Sequence, residues 1–277
     1  MLKKKNTNIV WLKRDLRLTD HLPLHQAIKK EENFLILYIY EPSLMRDVHY
    51  DERHWRFIEQ SLADIQEELQ VYDKKLTVTH GEVAEVFKLL LDKYCIKNIF
   101  SHEETGLKIT YSRDNQLNLL FKKYNITWNE YPSNAVIRGL TNRKNWKKHW
   151  NNVMRDHIER INLLKAKIIN HDFCTKNLPT FPTKKSYQKG GFKSAHIELK
   201  SFFIDRGSEY YKNISKPEKS RYTCSRLSPY ISYGNISIRE IYKVLLNSWD
   251  KPGWRRSIKA FSSRLHWHCH FIQKFES

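Results

Sequence analysis

Asn8-Ile9-Val10-Trp11-Leu12 is a short run of apolar, β-branched and aromatic residues, and the polar loop Lys13-Arg14-Asp15-Leu16-Arg17-Leu18-Thr19-Asp20 follows it directly. Such a run reads as a buried strand. Working outward, Phe34–Tyr40, Leu76–His80, Lys97–Ser101 and Ile126–Tyr131 repeat the signature. Helical patterns fill the intervals at about His21–Lys30, Asp51–Tyr72, Glu82–Tyr94 and Gly106–Tyr124. Within Asp51–Tyr72, Phe57, Leu62, Ile65 and Leu69 mark one buried helix face. Strands alternating with helices over short connections predict an α/β fold, a doubly wound, mainly parallel five-stranded sheet. No Gly-x-Gly-x-x-Gly follows the first strand, so the usual dinucleotide fingerprint is absent. A ligand of this layer would be sought at the carboxyl ends of the strands.

The charge is unevenly placed. Residues 1–131 hold 20 basic and 20 acidic residues, whereas 132–277 hold 29 basic and 10 acidic, so the whole net charge of +19 lies in the second part. A neutral half joined to a strongly basic one points to a polyanionic partner held by the C-terminal part. Lysine enrichment from an AT-rich genome is the plainer alternative, although it should raise both halves together. No run of about 18 apolar residues exists to span a membrane, and the basic start lacks a signal-peptide core. Cys95, Cys174, Cys224 and Cys269 stand far apart without a Cys-x-x-Cys pair. Free thiols in a reducing, cytoplasmic setting are expected, and neither a zinc nor an iron–sulfur site.

Three regions are expected: an α/β domain at 1–131, a basic interdomain connector at 132–186 with a helix near Trp146–Ala166, and a purely helical region at 187–277. In the last, Ser228-Pro229 reads as an N-cap with proline at the first helical position, and Gly234 as a stop. Ser237-Ile238-Arg239-Glu240 is a capping box for the next helix. Just upstream, Thr223-Cys224-Ser225-Arg226-Leu227-Ser228 brings hydroxyls, a guanidinium and helix N–H groups together. That is either an ordinary capped helix or an anion cradle suited to a pyrophosphate. His266 and His270 share a helix face, but no third ligand is apparent, and histidines packed in the core or beside a ligand are the better reading.

Two stretches carry a resemblance to a known family. Ile9-Val10-Trp11-Leu12-Lys13-Arg14-Asp15-Leu16-Arg17-Leu18-Thr19-Asp20 resembles the opening strand and loop of the DNA photolyase/cryptochrome family. Ser225-Arg226-Leu227-Ser228-Pro229-Tyr230, with Gly234, Ile236-Ser237 and Arg239, is similar to the segment that grips flavin in that family. The resemblance implies an all-helical FAD-binding domain, of which 187–277 would be the first, incomplete part. Family members run on well beyond the position of Ser277, so the chain is expected to be a C-terminally truncated, bacterial deoxyribodipyrimidine photolyase-like fragment.

What the resemblance implies about activity is light-driven electron transfer from FAD that splits pyrimidine dimers in damaged DNA. The alternatives are a cryptochrome-like blue-light receptor without repair, or an inactive fragment in which only the α/β domain folds stably. Ser225, Arg226, Leu227 and Ser228 would lie at the FAD phosphates, and Tyr210, with Tyr211 as fallback, would touch the flavin. Trp267 matches the tryptophan lining the lesion pocket, or else is a helix-buried core residue; Arg264 and His268 flank it on the DNA side. Dimer-repairing members carry a Glu three residues before this Trp and an Arg after it, so Arg264 and His268 depart from the pattern and put dimer repair in doubt. An antenna chromophore of folate or deazaflavin type also occurs in the family's α/β domain, and no residue here chooses between them. A complete chain is expected to be a monomer.

Overall fold

The computed structural model describes residues 4–158, 160–171, 178–183 and 187–277. The chain divides into two compact units, one of residues 1–131 with 159–191 and the other of 132–158 with 192–277.

In the first unit, strands β2 (Asn8–Leu12), β3 (Phe34–Tyr40), β4 (Thr77–His80), β6 (Asn98–His102) and β7 (Thr127–Tyr131) form a wholly parallel sheet in the order β4-β3-β2-β6-β7. β1 (Lys5–Asn6) and β5 (Tyr94–Cys95) make a separate two-residue pairing. The helices are α1 (Leu22–Lys29), the single turn α2 (Pro42–Met45), α3 (Glu52–Gln70), α4 (Val83–Lys93) and α5 (Lys108–Lys123). The central strands β2 and β3 are buried along their full length, as an apolar run covered on both faces must be. On one face Ile9, Trp11, Leu35, Leu37 and Ile39 pack with Phe87 and Leu90 of α4 and with Leu117 and Phe121 of α5. α3 starts at a capping box built by Asp51 and His54, and Phe57, Leu62, Ile65 and Leu69 are buried as their spacing predicts. Strand order reverses between β3 and β6 on either side of β2, which sets the topological switch point at the carboxyl ends of β2 and β6.

The second unit is helical: α6 (Trp146–Arg155), α7 (Phe192–Ser201), α8 (Tyr210–Asn213), α9 (Pro217–Thr223), α10 (Ser228–Ser232), α11 (Ile238–Asn247) and α12 (Arg255–Glu276). Its core gathers Trp146, Trp150 and Met154 of α6, Ile241 and Leu245 of α11, and Ile258, Phe261, Leu265 and Cys269 of α12. The buried Gln273 pins the turn before α6, accepting from Ile137 N–H at 2.8 Å and donating to Ile137 O at 2.9 Å.

The structure revises several local expectations. The helix expected near Trp146–Ala166 ends at Arg155. Asn162 then accepts from Leu164 N–H and starts a separate 3-10 turn at Leu163–Lys165, the kind of local bond with which Asn competes against helix. Residues 132–186, expected as one connector, contribute to both units. Ala135, Val136, Trp146 and Trp150 are buried in the second, and Ile168 bridges to Phe34 in the first. Ser228 is not the N-cap of α10: Leu227 holds that place without a side-chain bond, and Ser228 is already helical. Arg226 has φ +58°, so the chain turns in the left-handed region and enters the helix one residue early. Gly234, at φ +68°, ends α10, and the Ser237–Glu240 capping box is present. Cys95, Cys224 and Cys269 are free thiols, and Cys174 lies outside the described residues. Among the described residues no helix is long and apolar enough to cross a membrane.

Candidate functional site

The switch point of the first unit is occupied by the protein's own groups. Asp15, three residues past Leu12 at the end of β2, is fully buried and accepts from Lys13 N–H at 2.7 Å, His21 Nε2 at 2.8 Å and His102 Nδ1 at 2.7 Å. Burial works against its charge, but His21 and His102 hold the carboxyl well below the usual range. His102, at the end of β6, is pushed down to about 4 by burial, with His21 and Arg17 adding to the shift against the pull of its bond to Asp15. The three residues are close enough to suggest a metal, yet the hydrogen bonds decide otherwise. His21 Nδ1 caps α1 by accepting from Leu24 N–H at 3.1 Å, so its proton sits on Nε2 and that nitrogen has no lone pair to offer. Arg17 completes the loop by donating to the carbonyls of Thr19 and Asp20. The opening motif is therefore a folding device that ties the end of β2 to α1 and β6.

Beside it lies a buried charge cluster. Arg113 of α5 meets Glu41 at 2.6 Å, Asp114 at 2.8 Å and Glu104 at 3.6 Å, while Lys13 lies 3.5 Å from Asp114. Lys13 and Arg113 both stand over the Trp11 ring, at 4.8 and 4.9 Å. Burial, with Glu104 and Asp114 nearby, raises the Glu41 carboxyl to about 7 despite Arg113. The sequence points to this end of the sheet for a ligand, and the structure fills it with mutually paired side chains.

The second unit holds the residues expected at the flavin. Tyr210 opens α8 and is buried, its ring edge-on to Phe202 at 5.5 Å and Phe261 at 5.7 Å. Burial pushes its phenol up to about 12, while Arg264 pulls in the opposite direction. The loop from Thr223 to Ser228 joins α9 to α10. Leu227 is fully buried and anchors it. Ser225 Oγ accepts from Leu227 N–H at 3.4 Å, which leaves its own O–H to donate, and Ser228 is exposed. Arg226 Nε stands 3.6 Å from Glu198. Hydroxyl protons beside a guanidinium are the donor set a diphosphate requires, so the residues fit the phosphate-bearing part of a dinucleotide.

Two residues here escape sequence reading, Arg206 and Glu198. Arg206 ends a π-helical turn, Phe202–Arg206, and donates to the carbonyls of Cys224 and Ser225 as well as to Glu198. No local signal marks either one.

On α12, Arg264 stacks its guanidinium 4.2 Å from the centre of the Trp267 ring, and Trp267 is 43% exposed. It is thus not the helix-buried tryptophan of the alternative reading. His268, the next residue round the helix, is half-buried. His266 wedges between Trp146 at 5.3 Å and Trp150 at 5.0 Å, and His270 accepts from Arg143 at 2.8 Å. Burial, His270 and Lys147 lower the affinity of His266 for a proton. Both histidines are packing groups of the helical core.

Comparison with known proteins agrees with this architecture. The family model described as DNA photolyase matches residues 8–158. A cryptochrome DASH of Idiomarina loihiensis is 22% identical over 286 residues, covering 94% of this chain and 61% of that protein. The solved cryptochrome of Synechocystis sp. PCC6803 is similar with a TM-score of 0.79 at 20% identity, covering 99% of this chain and 62% of that one. An archaeal photolyase from Sulfolobus tokodaii, solved with two FAD molecules, gives a TM-score of 0.67 at 21% identity, covering 96% and 59%. At these identities the structural likeness speaks for the fold. The chain spans about three fifths of the length of these relatives.

Proposed function

The chain belongs to the DNA photolyase family, and from that premise we propose that it is a photolyase-like flavoprotein acting in light-driven repair of pyrimidine dimers. The observation that carries the reading is the Thr223–Ser228 loop, where Ser225, Arg226 and Ser228 offer donors over a buried Leu227 anchor. These residues would take the phosphates of FAD, and Tyr210 would border the flavin. When bound, FAD supplies an electron donor excitable by blue or near-UV light. The protein's part is to hold and orient: Leu227 fixes the loop from beneath, and Phe202 and Phe261 set the Tyr210 ring. Trp267, exposed on α12, offers a flat face to a base turned out of the duplex. The excess of 29 basic over 10 acidic residues after position 131 supplies attraction to the DNA backbone.

A second reading, a cryptochrome-like photoreceptor without repair, is favoured by one observation. Arg264 lies against Trp267 where dimer-repairing relatives are expected to carry a Glu. One experiment tests the first reading and separates it from the second. The protein is incubated with FAD, desalted, examined for a retained flavin band, and then illuminated with oligonucleotides carrying dimers. Retained flavin with light-dependent loss of dimers supports repair, and retained flavin without it supports the photoreceptor. A colourless protein overturns both.

A further inference from the structure

We propose that Arg206 is a positioning residue for the Cys224–Ser228 loop, holding it in the shape that receives the diphosphate of the dinucleotide. The inference rests on the reading of that loop given above. Arg206 Nη1 donates to Cys224 O, and Nη2 donates to Ser225 O at 3.0 Å. The same Nη2 donates to Glu198 Oε2 at 2.6 Å and Glu198 O at 2.9 Å, while Nε donates to Ser201 Oγ at 2.9 Å. All three nitrogens of the guanidinium are thus engaged by the protein, so this arginine acts as a strut and not as a ligand group.

The strut acts where the backbone needs it. Cys224 and Ser225 immediately precede Arg226, whose φ of +58° is a conformation a non-glycine residue keeps only when its surroundings impose it. Glu198 extends the device to the side chain, since its second oxygen lies 3.6 Å from Arg226 Nε. One carboxylate therefore orients two guanidiniums that would otherwise repel, and the pair keeps one net positive charge at the loop. Placement comes from the π-helical turn Phe202–Arg206 at the end of α7. One extra residue in that turn moves Arg206 about 100° round the axis relative to a regular helix. The same turn lays Phe202 and Phe203 against Phe261.

The test compares the unsubstituted chain with Arg206→Ala and Arg206→Lys, titrated with FAD, ADP and riboflavin, with amide hydrogen exchange followed across residues 220–232. We expect Arg206→Ala to weaken FAD and ADP about tenfold, as loss of a charge-assisted bond does, while riboflavin, which has no phosphate, binds as before. Exchange at Cys224–Ser228 should rise without a change in α11 or α12. Arg206→Lys should not restore binding, because an ammonium cannot span both carbonyls and the carboxylate. FAD and ADP bound as tightly by Arg206→Ala as by the unsubstituted chain would overturn the inference. So would riboflavin weakened equally with FAD, which marks a general loss of packing. Failure of the unsubstituted chain to bind FAD or ADP would sink the reading of the loop itself, and the inference with it, before any substitution is made.

Discussion

His102→Asn should change the pH dependence of the first unit in a way that separates two opposed buried groups. His102 has its pKa depressed to about 4 from an ordinary 6.5. A depressed group contributes stability that is present above its unfolded pKa and lost as pH falls through the folded one. Its share is therefore complete above about pH 6.5 and gone near pH 4, a change of about 3 kcal/mol at 1.36 kcal/mol per unit. Glu41 runs the other way. Its pKa is raised from 4.5 to about 7, so its share is present below about pH 4.5 and lost as pH rises through 7, again by about 3 kcal/mol. Between pH 4.5 and 6.5 the two slopes oppose, and the unsubstituted unit should vary little.

Asn at position 102 keeps an N–H donor for Asp15 but cannot titrate, so the Glu41 slope should dominate, with the more exposed Glu59 and His54 adding opposed shifts of their own. Stability of the variant is expected to fall by about 3 kcal/mol from pH 4.5 to 7. The assay is hydrogen exchange of amides in β2 and β6, corrected for the intrinsic effect of pH on exchange and read as opening free energy. It reports this unit without interference from the helical one. A constant offset from the lost ring is expected and decides nothing. Variant and unsubstituted profiles that stay parallel between pH 4.5 and 6.5 would refute the assignment of that slope to His102.

Gln273→Ala should leave Ile137 N–H and C=O without their partner and destabilise the helical unit by about 2 kcal/mol, seen as earlier urea unfolding of α12. Gly190→Ala should loosen the stretch 187–191 from α3, because a Cβ there overlaps the Phe57 carbonyl oxygen. Faster proteolysis next to Gly190, with β2 exchange unchanged, would show it. Binding to DNA should weaken about a thousandfold or more between 50 and 200 mM salt if six or more phosphates are neutralised, and a flat salt response would remove the electrostatic case.

Strands β2 and β3 were legible to the residue because each is a continuous apolar run whose burial on both faces depends on nothing remote. The capping box at Ser237 was legible for a similar reason, since its bonds close within four residues. The failures share the opposite property. Asp15 was visible as part of a motif, but its partner His102 is 87 residues away and carries no local mark. Ile168 pairs with Phe34 in a stretch that composition alone reads as a linker. At the candidate site, Ser225, Arg226 and Ser228 announce themselves by residue type. Arg206 does not, because a π turn obeys no apolar period and its acceptors are backbone carbonyls available on any residue.

In the proposed function Arg264 is where the repair and photoreceptor readings would divide, and its geometry bears on that choice. The guanidinium already covers one face of Trp267, at 4.2 Å. A cation over an exposed ring is worth about 0.5–1 kcal/mol, whereas a base stacked on an aromatic side chain is worth about 1–3 kcal/mol. On the proposed reading, a base stacking on Trp267 would gain more from the ring than Arg264 does, which offsets part of the few kcal/mol that turning it out of the duplex costs. Covering the ring would then not by itself oppose binding of a base there. What Arg264 lacks is the carboxyl group that the expected Glu would bring to this position. On that reading Arg264 would leave a ring face for a flipped base and offer no carboxyl group to protonate it. Recognition and chemistry would then be separable at this position, and the dimer assay reads the second of them.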